Sequence, residues 1–242
     1  MKYVIVSDIH LKYFEDEEAL ERKLKVEAFF KSLIGKIDCL ILAGDIFDLW
    51  IEWETVIIKN YFSTLKILSE IKDSGCKIIF LTGNHDFWLD KFLQTNIFVE
   101  IYHDFYESVV NEKRIFVSHG DLYTKNDIRY KIFRKVIRSF IVKGFCKILN
   151  PNIVLYLGNK ISRSSRSRKI DDNLIKKKEQ GLLLQARKLS ENYDLIIFGH
   201  THNPVKIELG NALYINCGDW IYHNSYCYFD EEVCELRTYD DV

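Results

Sequence analysis

Lys77-Ile78-Ile79-Phe80-Leu81-Thr82-Gly83-Asn84-His85-Asp86 is the stretch from which the fold can be read. Its first six residues read as a short buried strand bounded by turn residues. Gly83 lets the backbone turn sharply without a Cβ clash. The turn then presents an amide, an imidazole and a carboxylate at the strand's carboxyl end, the edge at which open α/β sheets bind ligands. A polar turn that caps the next helix is the ordinary reading of Asn and Asp. This stretch alone does not exclude it.

Four other stretches end in the same way. Asp8-Ile9-His10 follows Tyr3-Val4-Ile5-Val6, and Gly44-Asp45-Ile46-Phe47-Asp48 follows Cys39-Leu40-Ile41-Leu42. His119-Gly120-Asp121 follows Ile115-Phe116-Val117, and Gly199-His200-Thr201-His202 follows Leu195-Ile196-Ile197-Phe198. A single Asp-x-His or His-x-His is common surface polarity. Five apolar runs in order, each stopping at Asp or His, describe one site.

Between the first three runs the chain reads as helix. An acidic start, Glu15-Asp16-Glu17-Glu18, suits a helix dipole. Apolar residues at 20, 24, 29, 30, 33 and 34 have helical spacing, and Gly35 ends the segment. A second helix is expected over roughly 54–73, stopped by Gly75. This βαβαβ alternation predicts a parallel sheet. Residues 97–118 read as shorter strands, and 194–238 as strands with turns at Gly210-Asn211 and Asp230-Glu231.

The 242 residues are 48% hydrophobic and 14% aromatic, enough to fill a two-sheet core, and predict one domain (1–242) carrying an insertion. Six cysteines show no Cys-x-x-Cys spacing and read as reduced thiols in a cytosolic protein. The chain enters a strand at once, which predicts no signal peptide. No apolar run is long enough to span a bilayer.

A formal net charge of −1 hides an uneven distribution. Residues 125–178 hold sixteen Lys or Arg against three acids, so a strongly basic insert sits on an acidic body. Within it, Ile132, Phe133, Val136, Ile137, Phe140 and Ile141 read as one face of a helix, with Arg134, Lys135 and Arg138 on the other. Asn150-Pro151 breaks that helix, and 152–161 reads as a second. Three readings compete: an ordinary packed helix with a solvated basic side, a helix lying on an anionic membrane surface, and a nucleic-acid-binding surface. The large apolar face and the lack of interleaved base-stacking aromatics count against nucleic acid.

The ordered motifs, Asp8-x-His10, Gly44-Asp45-x-x-Asp48, Gly83-Asn84-His85-Asp86, His119 and Gly199-His200-x-His202, resemble those of the calcineurin-like metallophosphoesterase superfamily. Asn84-His85-Asp86-Phe87, the insert after His119 and the chain length look more particularly like the UDP-2,3-diacylglucosamine diphosphatases. The resemblance implies an α/β fold, a four-layer αββα sandwich, with a basic helical lid at about 123–180 over acyl chains and diphosphate. It implies two divalent ions bridged by Asp45, one completed by Asp8, His10 and His202 and the other by Asn84, His119 and His200. Imidazole, carboxylate and amide without thiolate suit Mn²⁺, Fe or similar octahedral ions. His85 then faces the leaving group rather than a metal, with Asp48 at the position of its orienting carboxylate. Many members of the narrower family carry Arg where this chain has His85.

Asn84, His85, His200, Asp127, Tyr130, Ser162, Arg166 and Lys169 fall where that family contacts substrate, with Arg163 and Arg168 as competitors in the lid. Asp86 and Asp121 read as structural turn residues, and His103 and His223 as ordinary surface or packing residues. The implied function is hydrolysis of UDP-2,3-diacylglucosamine by a cytoplasmic enzyme, peripheral on the inner face of the inner membrane, with no nucleic-acid partner. A broader phosphoesterase acting on nucleotides or nucleic-acid ends is the first rival. A non-catalytic scaffold is the second, and it would be favoured by degenerate ligand positions, none of which occurs.

Overall fold

The structure, a computed structural model, describes residues 1–14, 16–89, 91–124, 128–166 and 172–240, with the side chains of 128–131, 133, 161–166 and 172–174 outside that description. Strands β1 (Tyr3–Val6), β2 (Cys39–Leu42), β3 (Lys77–Leu81) and β4 (Glu100–Tyr102) pair in parallel. The second sheet contains β5 (Tyr106–Val110), β6 (Lys113–Val117), β7 (Leu195–Phe198), β8 (Val205–Leu209) and β9 (Ala212–Asn216) in the order β5-β6-β7-β9-β8. Its inner strands β6, β7 and β9 are parallel, with antiparallel edges. Strand β10 (Ser225–Phe229) returns to pair antiparallel with β1, and β11 (Cys234–Thr238) closes that edge.

Strand alternation explains the layers. Tyr3 and Ile5 of β1 face the second sheet, joining Ile41, Ile79, Ile115, Val117, Ile197 and Ile215 in one buried cluster. Val4 and Val6 point the other way, onto α1 (Glu17–Leu33) and α2 (Phe62–Asp73), where Val26, Phe30, Leu65 and Leu68 receive them. The second sheet's outer face, with Phe116, Ile196, Phe198 and Tyr214, packs on Leu182 and Ala186 of the last helix, Asp172–Leu189. Helix, sheet, sheet and helix are thus stacked as the expected four-layer αββα sandwich.

Three expectations change. In α1 the buried stripe is Ala19, Val26, Phe29, Phe30 and Leu33, while Leu20 and Leu24 are exposed, because those two lie around the helix from the Val26–Phe30 line. The second helix starts at Phe62, after a single 3₁₀ turn at 59–61. Before it, residues 49–58 form a loop whose Trp50, Ile51 and Ile58 are buried, so the expected first residues of that helix are not helical.

The third change is in the insert, which follows the short α3 (Phe92–Asn96) and the β5–β6 hairpin. The anticipated long helix is two: α4 (Ile128–Ile137) and α5 (Phe140–Ile148), separated at Ser139, whose hydroxyl caps α5 by accepting from the Val142 N–H. Helix α6 (Pro151–Arg166) follows, with Pro at its first position, and α7 is the Asp172–Leu189 helix. The apolar face consequently splits. Ile137, Val142 and Cys146 pack with Ile51, Trp88 and Val154, whereas Ile132, Val136, Phe140 and Ile141 are exposed. Tyr13 and Trp53 bind the insert to the body through the carbonyls of Leu155 and Cys146.

Phe29 is 1% exposed, and its ring meets those of Trp220, Tyr226 and Tyr239 at centroid distances of 4.7, 4.8 and 5.2 Å. Phe29→Ala should lower unfolding free energy by about 3–5 kcal/mol. Urea denaturation should show the loss as a lower midpoint with an unchanged slope.

Candidate metal centre

The parallel neighbours β1, β2 and β3 present Asp8, Asp45 and Asn84 just beyond their carboxyl ends; β6 and β7 do the same with His119 and His200. The two sheets bring these ends together. His119 Nε2 is 3.4 Å from Asp45 Oδ2, and the His200 N–H donates to Asp8 Oδ2 at 2.8 Å. Close approach depends on glycine at two points. A Cβ on Gly83 would fall on the Asp45 carboxylate, and one on Gly199 would lie 2.5 Å from Asp8 Oδ2.

Asp8, His10, Asp45, His200 and His202 all adopt left-handed backbone, with φ of 53, 52, 55, 71 and 59°. Asp and His tolerate this region better than most non-glycine residues, but each still costs free energy and needs surrounding structure to hold it. Asp86 supplies part of that hold. Its buried carboxylate accepts from the N–H groups of Gly83, Asp45, Ile46 and Phe47. Burial, and then the charge of Asp45, push its pKa up to about 6. The expected turn role is therefore visible as one hydrogen bond within the turn and three that join the β2 and β3 ends.

The polar atoms fall into two groups around Asp45. On one side, His202 Nε2 and His10 Nε2 lie 3.4 and 4.0 Å from Asp8 Oδ1, and His10 Nε2 lies 3.8 Å from Asp45 Oδ2. On the other, Asn84 Oδ1 is 3.0 Å from His119 Nε2 and 2.9 Å from His200 Nδ1. Asp8 Oδ1 and both His10 ring nitrogens are buried without a hydrogen-bond partner among the described residues. Buried polar atoms are nearly always paired, so this clustering calls for a missing partner. A cation takes the lone pairs of Asp8 Oδ1 and His10 Nε2 together, while His10 Nδ1 faces Asp48, and Asp8-His10-His202 and Asp8-Asp45-His119 each converge closely enough to hold one. The residues fit divalent ions.

Outer contacts aim the imidazoles. His119 Nδ1 faces the Ala43 carbonyl at 3.1 Å, so it carries the hydrogen and leaves Nε2 for a ligand. Burial opposes a charged His119 ring, yet Asp45 overcomes it and holds the pKa up to about 10. The same proximity of Asp45 Oδ2 to Nε2 that favours a proton there favours a metal ion in its place. Burial also acts on Asp45 in the unfavourable direction, but His119 and His85 bring its pKa well below the usual carboxylate range.

His85 occupies the rim. Its N–H donates to Asp45 Oδ1 at 2.8 Å, and its ring stands edge-on to that of His10, 4.8 Å away. Its Nδ1 is 3.1 Å from the Asp48 main-chain oxygen and 3.5 Å from the Asp48 carboxylate. The same carboxylate lies 3.5 Å from His10 Nδ1. Asp48 thus stands between two imidazoles, and its closest contact to His85 is through the backbone.

Asp127, Arg168 and Lys169 lie outside the described residues. Tyr130, Ser162, Arg163 and Arg166 lie on helices α4 and α6, and their side chains are outside the description too. His103 stays apart from the centre; its carbonyl accepts from Thr82. His223, expected to be an ordinary residue, belongs to the site's surroundings. Its Nδ1 is 3.0 Å from Asp219 Oδ1, while Asp219 Oδ2 is 3.1 Å from His202 Nδ1.

Asp219 is absent from the strand-end pattern of the sequence. It follows β9, which runs parallel to β7, and the signal available for it is Ala212-Leu213-Tyr214-Ile215 leading to Asn216-Cys217-Gly218-Asp219. Burial opposes its charge, but hydrogen bonds from His202 and from the Tyr222 N–H bring its pKa down to about 2. It fixes the His202 tautomer, with Nε2 turned to Asp8. Asp219→Ala should weaken metal affinity by about 10–100-fold, measured by calorimetric titration of metal-stripped protein, with the fold retained by circular dichroism.

Comparison with known proteins agrees with this architecture. The sequence profile described as calcineurin-like phosphoesterase matches residues 1–204. A UDP-2,3-diacylglucosamine hydrolase from Porphyromonas gingivalis is 25% identical over 260 aligned positions, covering 100% of this chain and 98% of that protein. Another, from Pseudomonas fluorescens, is 27% identical over 249 positions, covering 99% and 95%. Among solved structures, one described as a novel archaeal phosphodiesterase superposes with a TM-score of 0.51 at 19% identity, covering 98% of both chains. With its profile match spanning all five strand-end motifs, the chain belongs to the calcineurin-like phosphoesterase family and is a metal-dependent phosphoesterase.

Proposed function

We propose that this chain hydrolyses the diphosphate bond of UDP-2,3-diacylglucosamine, releasing UMP and 2,3-diacylglucosamine 1-phosphate in lipid A biosynthesis. The observation that carries this reading is full-length similarity to hydrolases of that name, extending through the insert as well as the metal motifs. In this reading Asp8, His10, Asp45 and His202 hold one divalent ion and Asp45, Asn84, His119 and His200 a second, with Mn²⁺ the preferred metal. Such ions supply Lewis acidity toward phosphoryl oxygens and a nucleophile from water at neutral pH.

The side chains around them do the rest. Asp45 lies between the two groups and sets their separation. His119 and His202 present Nε2 because Ala43 and Asp219 occupy their Nδ1 atoms. His85, held at Nδ1 by Asp48, points its remaining nitrogen away from that contact and is assigned to the departing oxygen. Asp127, Tyr130, Ser162, Arg166 and Lys169 remain the proposed contacts to the sugar and diphosphate.

An acylated substrate resides in a membrane, since each buried methylene contributes about 0.8 kcal/mol. The insert offers a matching surface: Val136, Phe140, Phe145 and Ile148 are exposed, with Phe140 84% and Ile148 85% accessible. Lys135 and Lys147 are exposed on the same helices. No helix among the described residues is long and apolar enough to cross a membrane. The reading is therefore peripheral attachment to an anionic inner-membrane face from the cytoplasm. Arg134 and Arg138 do not take part in it, because both turn toward the body and bond there.

His85→Ala should retain both metals yet slow turnover by about 10²–10⁴-fold. The loss should shrink for an aryl phosphate whose leaving group needs no proton; equal losses on good and poor leaving groups would remove His85 from that role. Phe140→Ser with Ile148→Ser should impair cleavage of UDP-2,3-diacylglucosamine far more than of bis(4-nitrophenyl) phosphate. Lys135→Glu with Lys147→Glu should weaken binding to anionic vesicles, most visibly at low salt. If the metal-loaded protein cleaves nucleotides or phosphodiesters and never the diacylated substrate, the broader phosphoesterase reading replaces this one.

A further inference from the structure

Two arginines of the insert are bound to the metal-bearing loops. Arg138, immediately after α4, donates from Nη2 to the Gly83 carbonyl at 2.6 Å, and its guanidinium lies 5.0 Å from the Phe87 ring centre. One turn earlier, Arg134 places Nε 2.9 Å from Asp121 Oδ2 and Nη2 3.8 Å from Asp104 Oδ1. Gly83 directly precedes Asn84, and Asp121 lies two residues beyond His119. These loops leave different sheets, yet Asn84 Oδ1 and His119 Nε2 meet at 3.0 Å.

The two arginines are four residues apart and share one face of the helical turn. That face is directed at both loops at once. A guanidinium suits such bridging because its planar fork keeps fixed geometry, and Arg134 is only 17% exposed at its side chain. Placing cationic groups near a site for divalent ions is electrostatically unfavourable in itself. Asp121, 4% exposed at its side chain, offsets this for Arg134 by direct pairing. A solvated membrane-facing role would leave both groups exposed, and neither is.

We propose that Arg134 and Arg138 are positioning residues that fasten α4 across the Gly83–Asn84 and His119–Asp121 loops and set the spacing of Asn84 and His119. The lid and the second ligand group then form one mechanical unit, so the insert serves metal binding as well as substrate. This rests on reading Asn84, His119 and His200 as ligands of one ion, and is independent of the substrate's identity.

The test is titration of metal-stripped full-length protein with Mn²⁺, followed by calorimetry and electron paramagnetic resonance. Wild type should bind two ions and give a spin-coupled pair signal. Arg138→Met should weaken one ion by about 10–100-fold, the range for outer-shell partners. The other ion should keep its affinity, and an uncoupled signal should appear at intermediate loading. Hydrolysis of bis(4-nitrophenyl) phosphate should fall with occupancy and recover at excess Mn²⁺, and Arg138→Lys should restore part of the affinity. Asp121→Asn, which leaves the lid sequence intact, should weaken the same ion and carries the test if Arg138→Met does not fold. Wild-type binding of both ions in Arg138→Met or Asp121→Asn, or equal weakening of both, overturns the proposal. A single ion in wild type overturns the two-ion reading and the proposal together.

Discussion

Left-handed backbone at Asp8, His10, Asp45, His200 and His202 is the constraint on which the rest of the molecule depends. Each such residue costs on the order of 1 kcal/mol or more, and together they amount to a sizeable part of a domain's net stability. The cost is met by what surrounds them. The parallel ladders of β1 with β2 and of β6 with β7 fix where each strand stops. Backbone hydrogen bonds run from Asp8 to Gly44, from His10 to Asp45 and from Leu11 to Ile46, so the β1 and β2 loops brace one another. Asp86 ties the β2 loop to β3, and the Trp220 N–H reaches the Asp8 carbonyl from the far end of the chain. The residues that tolerate this backbone, Asp and His, are also those that offer lone pairs to a cation.

Much of this is legible in the sequence because strand ends advertise themselves. An apolar run of three to five residues that stops at Ser-Asp-x-His, Gly-Asp, Gly-Asn-His, Ser-His or Gly-His needs no partner to be noticed. Each of Asp8, His10, Asp45, Asn84, His119, His200 and His202 stands out in that way, and they meet at one centre. Asp219 does not stand out. Its strand ends in Asn216-Cys217-Gly218, with the carboxylate three residues beyond the last strand position, and its role is to bind a histidine rather than to ligate. His223 is hidden for a related reason, since its partner is Asp219. Such outer contacts depend on tertiary proximity, which a local pattern does not encode.

Direction is less legible than position. Periodicity locates α1 through Leu20 and Leu24 as much as through Phe29 and Phe30, but it does not say which stripe meets the sheet, and Leu20 and Leu24 are exposed. In the insert it joins two helices into one, because Ser139 is an ordinary residue until its hydroxyl is seen capping α5. The basic residues there look alike in composition. In the structure they divide by orientation, with Arg134 and Arg138 turned to the loops and Lys135 and Lys147 exposed. Compositional charge therefore measures the insert's sign but not the separate roles of its members.

The position of β1 has a consequence for how the chain is made. It precedes every other strand of its sheet along the chain, yet it lies inside that sheet, between β2 and β10. Until residues 225–229 have left the ribosome, one edge of β1 has no neighbour, and its hydrogen-bonding row is open to any extended segment. Asp219 and Trp220 arrive only shortly before that strand. A nascent chain can thus bury α1 and α2 early, but the loop carrying Asp8 and His10 stays unbraced on one side until Trp220 and β10 have been made. A fragment ending just before β10 would carry all five strand-end loops and still leave β1 as an adhesive edge.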